Sequence, residues 1–152
     1  MLILTTYIND IIQIIITLGT LMSTTETPSE VSLTLYERIG GAAAVEAAVE
    51  VFYKKVLADY RIYRFFDGVD TERLIAKQKA FFTMAFGGPN HYTGADLRSA
   101  HSKLVKIGLG NDHFDVVIEH LTATLKELKV PQELIIEVTT LAEVTRKDVL
   151  GK

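Results

Sequence analysis

Asp70-Thr-Glu-Arg-Leu-Ile-Ala-Lys-Gln-Lys-Ala-Phe-Phe-Thr-Met-Ala-Phe86, followed by Gly87-Gly88-Pro89, is the run on which the fold turns. Asp70 has the side chain of a helix N-cap, and two glycines and a proline end whatever helix it opens. Within that helix Leu74, Lys77, Gln78, Phe81, Phe82 and Ala85 recur at helical spacing. Leu74, Lys77 or Gln78, and Phe81 therefore share one broad face. Beyond the break, Ala95 to Ile107 reads as a shorter helix ended by Gly108. It carries His101 with Leu97, Leu104 and Val105 around it.

Working outward, every neighbouring run is helical. Thr34-Leu-Tyr-Glu37 has the spacing of a capping box and opens a short helix stopped at Gly40-Gly41. From Ala42 to Ala58, Val45, Val49, Phe52 and Val56 form one stripe. Asp59 to Phe66 holds a tight turn or short helix, broken by Asp67-Gly68. Asn111 is placed to cap a long helix in which Phe114, Val117, Ile118, Leu121, Leu125 and Leu128 repeat at three and four. Pro131 suits the first turn of a last helix reaching Leu150. No strand pattern competes, so the expected class is all-α. Two long C-terminal helices, crossed by two in the middle, can sandwich a flat cofactor.

The composition narrows the chemistry. A chain of 152 residues fits one domain plus an extension. With 48% hydrophobic residues, 23% charged and a net charge of -3, it is a globular protein without the basic surface that nucleic acid requires. The absence of cysteine removes disulfides, thiolate metal sites and cysteine nucleophiles, and leaves cytoplasm as the default compartment. Serines are few and no Gly-x-Ser-x-Gly elbow is present. His113 and His120 are seven apart and can share a helical side, but they lack the close spacing and carboxylate of a zinc set.

Residues 1–30 differ from the rest. An isoleucine-rich stretch precedes the polar Ser23-Thr-Thr-Glu-Thr-Pro-Ser-Glu30. It lacks the basic start of a secretory signal, and Asn9, Asp10 and Gln13 interrupt the roughly 20 apolar residues a spanning helix needs. The readings are a helix bringing the domain to a membrane or partner through residues 1–21, an extra packed helix, or translation from a start placed too early. The last is favoured, because Met22 opens an ordinary hydrophilic leader. Residues 31–152 form the folded domain.

The residue types allow both plain and chemical roles. A lone helical histidine such as His101 is more often a core or surface residue than a ligand. Yet one imidazole facing an aromatic slot is also how a protein holds a haem iron. Lys77 is ordinarily a side chain that snorkels to solvent, and Gln78 a routine polar position. Tyr53, beside Phe52, can pack its ring with its hydroxyl outward or turn that hydroxyl into the slot.

Taken together, Leu35-Tyr-Glu-Arg-Ile-Gly-Gly41, Phe52-Tyr53, Arg61-Ile-Tyr-Arg-Phe-Phe66, Gln78-Lys-Ala-Phe81, Ala85-Phe-Gly-Gly-Pro89, Ala100-His101 and Arg146-Lys-Asp-Val-Leu150 resemble the truncated haemoglobins of group I, above all the cyanobacterial members. The likeness runs from about Leu33 to Lys152 with almost no gaps. It implies a two-over-two helical sandwich around haem b, iron protoporphyrin IX. On that resemblance His101 is the proximal iron ligand and Phe66 packs on the porphyrin. Tyr53 is the distal donor to dioxygen, with Gln78 as its helper. Phe81, Leu97 and Leu104 line the pocket, while Arg73 and Tyr92 meet the propionates. Leu74 occupies a distal position that is often polar in the family, which makes this pocket drier.

Two departures matter. Lys77 stands where cyanobacterial relatives carry a histidine that binds iron when no gas is present. Lysine-bearing algal relatives use the amine in the same way, which makes Lys77 a candidate second metal ligand. Thr145 stands where those cyanobacterial proteins have a histidine that bonds covalently to the haem, so the haem here is expected to be non-covalent. The resemblance implies dioxygen, nitric oxide and carbon monoxide as ligands. It also implies possible oxidation of nitric oxide to nitrate, with electrons from an unidentified reductase because no flavin or nicotinamide motif is present. A gas store or sensor, or an electron-transfer protein with lysine-ligated iron, is the alternative. A monomer is expected.

Overall fold

The computed structural model describes residues 32–92 and 96–152. The chain divides between Ser32 and Leu33 into two units, and Leu33–Lys152 carries every element named below. The extension and linker expected over residues 1–30 lie outside the described residues. Among the described residues there are seven α-helices, one 3-10 turn and no strand: α1 Leu35–Arg38, α2 Gly41–Ala58, the turn Tyr63–Phe66, α3 Thr71–Ala85, α4 Leu97–Lys106, α5 Asn111–Glu127, α6 Gln132–Val144 and α7 Arg146–Val149. None of these helices is long and apolar enough to cross a membrane.

Two layers of two helices make the body. α2 packs on α3, α5 packs on α6, and the layers meet where α2 lies against α5. The α2 stripe read from the sequence is the core seam, since Val45, Val49, Phe52 and Val56 are all buried. Each such side chain contributes about 1.5–3 kcal/mol relative to exposure. Val116, Leu121 and Leu125 of α5 join the same cluster, as do Leu134, Ile135 and Val138 of α6. The α5 face is turned slightly from expectation: Val116 and Thr124 are buried, while Val117, Ile118 and Leu128 are half-buried.

The caps follow local chemistry. Thr34 and Glu37 form the reciprocal capping box, and Asp70 accepts from the Arg73 amide at 3.0 Å. Such caps contribute about 1 kcal/mol each. Asp96 caps α4 by accepting from the Ser99 amide at 2.9 Å.

α4 starts at Leu97 rather than Ala95, and three further boundaries depart from the sequence expectation. Gly110, not Asn111, is the cap of α5, and its N–H donates to Nδ1 of His113 at 3.1 Å. Pro131 sits one place earlier than expected, as the N-cap of α6, and its carbonyl accepts from the Leu134 and Ile135 amides. The last helix does not run unbroken to Leu150. It ends at Val144, where the Thr145 hydroxyl turns back to the Ala142 carbonyl at 2.7 Å and competes with the helical ladder.

At the end of α3, Gly87 takes a left-handed φ of 83°. A Cβ on Gly88 would come within 2.8 Å of the Tyr36 ring. The Tyr36 amide also donates to the Phe86 carbonyl at 2.8 Å. The glycine pair therefore both stops α3 and lets α1 close over its end.

Candidate functional site

α3 and α4 carry the aromatic and histidine signals, yet neither buries a single residue. α3 packs on α2 and α4 on α7, but α3 and α4 are not closely packed on each other. Phe81 of α3, with Leu97 and Val105 of α4, remain half-covered outside the core cluster, whose edge Leu74 and Leu104 join. Apolar side chains of this size at helical spacing normally find a partner, so these two faces form a cradle for an apolar group. α4 is held mainly at its outer side, where Arg98 donates to the Lys152 carbonyl at 2.7 Å and pairs with Asp148 at 3.3 Å.

His101 of α4 is half-buried, with Nδ1 2.8 Å from the Leu97 carbonyl. A carbonyl only accepts, so Nδ1 carries the proton and Nε2 keeps its lone pair. That is the tautomer a metal ligand needs, held by a bond that also fixes the plane of the ring. The chemistry of the donor set and the uncovered apolar faces fit a haem.

The other side of the cradle is built by α2, α3 and the 3-10 turn. Tyr53 is 4% exposed, and burial pushes its phenol well above the usual tyrosine range, so it stays a protonated donor. Its hydroxyl donates to Oε1 of Gln78 at 3.3 Å. Phe66 meets the Tyr53 ring edge-on at 6.1 Å, and Phe52 does so at 5.2 Å. Of the two orientations open to Tyr53 in the sequence, the inward one is adopted.

The remaining candidates sit at the rim. Phe81 meets Tyr92 edge-on at 5.5 Å, and burial together with the nearby Asp96 raises the Tyr92 phenol. Arg73 and Lys77 are exposed, one turn apart on α3. Tyr53 thus touches both Gln78 and Phe66, and Phe81 touches Tyr92. His101 makes its hydrogen bond within α4, to Leu97, apart from the Tyr53–Gln78 pair.

The sequence reading missed the bracing of the 3-10 turn. Asp59 accepts from the Arg61 amide and guanidinium and from Nε2 of His120, the last at 2.7 Å. The Arg61 guanidinium, with His120, holds the Asp59 carboxyl well below the usual carboxylate range. His113 lies edge-on against Phe65 at 4.8 Å. The seven-residue spacing of His113 and His120 was the available signal, but it identifies no partner.

Comparison with known proteins agrees with this geometry. Residues 34–150 match the family described as bacterial-like globin. The group 1 truncated hemoglobin GlbN of Synechocystis is 50% identical over 122 residues, covering 78% of this chain and 98% of that protein. The corresponding protein of Tetrahymena thermophila is 49% identical over 119 residues, covering 78% and 96%. Among solved structures, the 2/2 hemoglobin of a Synechococcus species, in the cyanomet state with covalently attached heme, superposes with a TM-score of 0.76 at 49% identity. That match covers 79% of this chain and all of the other.

Proposed function

We infer the function from one premise: this chain belongs to the group 1 truncated haemoglobins, haem globins of the two-over-two helical fold, and haem is its expected cofactor. On that premise it binds dioxygen reversibly, accepts nitric oxide and carbon monoxide at the same place, and oxidises nitric oxide to nitrate. The observation that supports this reading is a chain holding both a buried tyrosine donor and a histidine whose Nδ1 bond to Leu97 leaves Nε2 its lone pair.

When bound, the haem supplies an iron that takes a diatomic gas and gives the electron needed for dioxygen to convert nitric oxide to nitrate, which leaves the iron ferric until a partner reduces it. The protein does the rest. His101 would hold the iron through Nε2, with the Leu97 carbonyl setting the orientation of its ring. Tyr53 presents a proton toward negative charge developing on the gas. Its bond to Gln78 is long and joins neutral groups, so a charged acceptor competes well for the same proton. Gln78, accepting through Oε1, has its NH2 left to donate. Leu74, Phe81 and Phe66 exclude water and so strengthen those bonds. Arg73 and Tyr92 stand at the rim for the propionates.

A second reading concerns Lys77. Its side chain is exposed and makes no ion pair among the described residues. It is therefore available either to a propionate or, as a neutral amine, to the iron as sixth ligand. The latter would suit an electron-transfer role.

The test is absorption spectroscopy of the haem-reconstituted protein in ferric, ferrous and oxygenated states, followed by addition of nitric oxide. A stable oxygenated spectrum converted at once to the ferric form, with nitrate produced, is the expected result. A protein that takes up no haem, or an oxygenated form inert to nitric oxide, would overturn the reading.

A further inference from the structure

We propose that His113 and His120, two histidines of α5 with no place in gas binding, are positioning residues for the haem pocket, acting by clamping the 3-10 corner that presents Phe66 to Tyr53. The proposal rests on the reading of Tyr53 as the donor to bound gas. The corner begins at Asp59, which ends α2: its amide donates to the Val56 carbonyl, and its own carbonyl accepts from the Ile62 and Tyr63 amides at 3.1 and 2.9 Å. Its carboxylate is only 9% exposed and draws in Arg61 from the corner and Nε2 of His120 from α5. Arg61 continues to Glu119, the neighbour of His120, at 3.1 Å.

Two turns earlier on α5, His113 closes the other end of the same turn. Its ring lies edge-on to the buried Phe65 while Nδ1 accepts from the Gly110 amide, so the ring cannot rotate without losing that bond. Phe65 fixed against α5 leaves Phe66, the next residue, directed to Tyr53. The spacing of seven puts both histidines on one side of α5, and both reach the segment between α2 and α3. A helix that carries neither His101 nor Tyr53 thus sets the angle at which Phe66 meets the donor phenol.

The test uses the carbon monoxide adduct of the ferrous protein, in which the C–O stretching frequency falls when a donor points at the ligand. His120→Leu removes the bond to Asp59, His120→Gln restores an N–H donor of similar reach, and Asp59→Asn weakens the same clamp while keeping its shape. Expected for His120→Leu, and in smaller measure for Asp59→Asn, is a shift of the band to higher frequency. Dioxygen release should quicken by about threefold, part of the effect of losing a full donor. His120→Gln should return both to wild type. A band and a release rate unchanged in His120→Leu and Asp59→Asn, whatever their melting temperatures, would overturn the proposal. Tyr53→Phe is the control: if it leaves the band in place, the donor reading fails and this inference with it. If it moves the band while the clamp variants do not, the clamp alone fails.

Discussion

The hydroxyl of Tyr53 donates to Oε1 of Gln78 across 3.3 Å, joining α2 to α3 inside the slot. The bond is long for an O–H donor, whose usual distance is about 2.7–2.8 Å, so the proton is weakly held. A gas carrying partial negative charge is a better acceptor than an amide oxygen, which makes the pair a donor in reserve.

Replacing Tyr53 by Phe should therefore accelerate dioxygen release. A hydrogen bond to a charged acceptor is worth about 1.5–3 kcal/mol, or roughly ten- to a hundredfold in rate if felt wholly in dissociation. Gln78→Leu should have the same sign and a smaller size. Stopped-flow displacement of dioxygen by carbon monoxide measures both. Equal rates in wild type and Tyr53→Phe would remove the phenol from the account.

His101→Ala should lose haem rapidly to an excess acceptor globin. Added imidazole should restore a histidine-type spectrum, since the apolar cradle of Leu97, Leu104 and Phe81 is retained. An unaltered haem affinity and spectrum in the variant would exclude His101 as the ligand.

At the C-terminal junction, Thr145 uses its hydroxyl on the Ala142 carbonyl and has no imidazole to add to a vinyl group. The haem should separate from the protein in acidic organic solvent. After reduction and denaturation the intact mass should be that of the polypeptide alone. A mass raised by one haem would point to another nucleophile.

The Lys77 amine can bind iron only as the neutral base, a form that rising pH favours for any lysine. Ferric wild type should pass to a low-spin spectrum as pH rises, and the Lys77→Ala variant should not. Identical alkaline titrations of the two would assign Lys77 to the propionate side. If the wild type alone changes, gas binding will be limited by how often the amine leaves.

Asp59 gives an acid-side prediction. Its carboxyl is held below the free value by Arg61 and His120, so the stabilisation is fully present above the unfolded value of 3.8. It is lost as pH falls through the lower folded value. Melting temperatures should fall more steeply in wild type than in Asp59→Asn below about pH 4, the free carboxylate range. Parallel curves would show that the carboxylate carries no linked proton.

The helices, the caps Thr34 and Asp70 and the seam of Val45, Val49, Phe52 and Val56 were legible in the sequence, because periodicity, capping and glycine breaks act over a few residues. The paired motifs also named the cofactor and the residues expected to meet it. What only the tertiary structure decided lies between elements. The stripe of α5 turned so that Val116 and Thr124 went inside, because helix orientation is set by the partner surfaces it packs on. The last helix broke at Thr145, where a hydroxyl found a nearer carbonyl. Tyr53 turned inward because Gln78 waited there, 25 residues away. Asp59 met His120, 61 residues away, because two helices crossed at that point. A hydrogen bond chooses its partner by distance and direction in space, and neither is written in the spacing of residues along the chain.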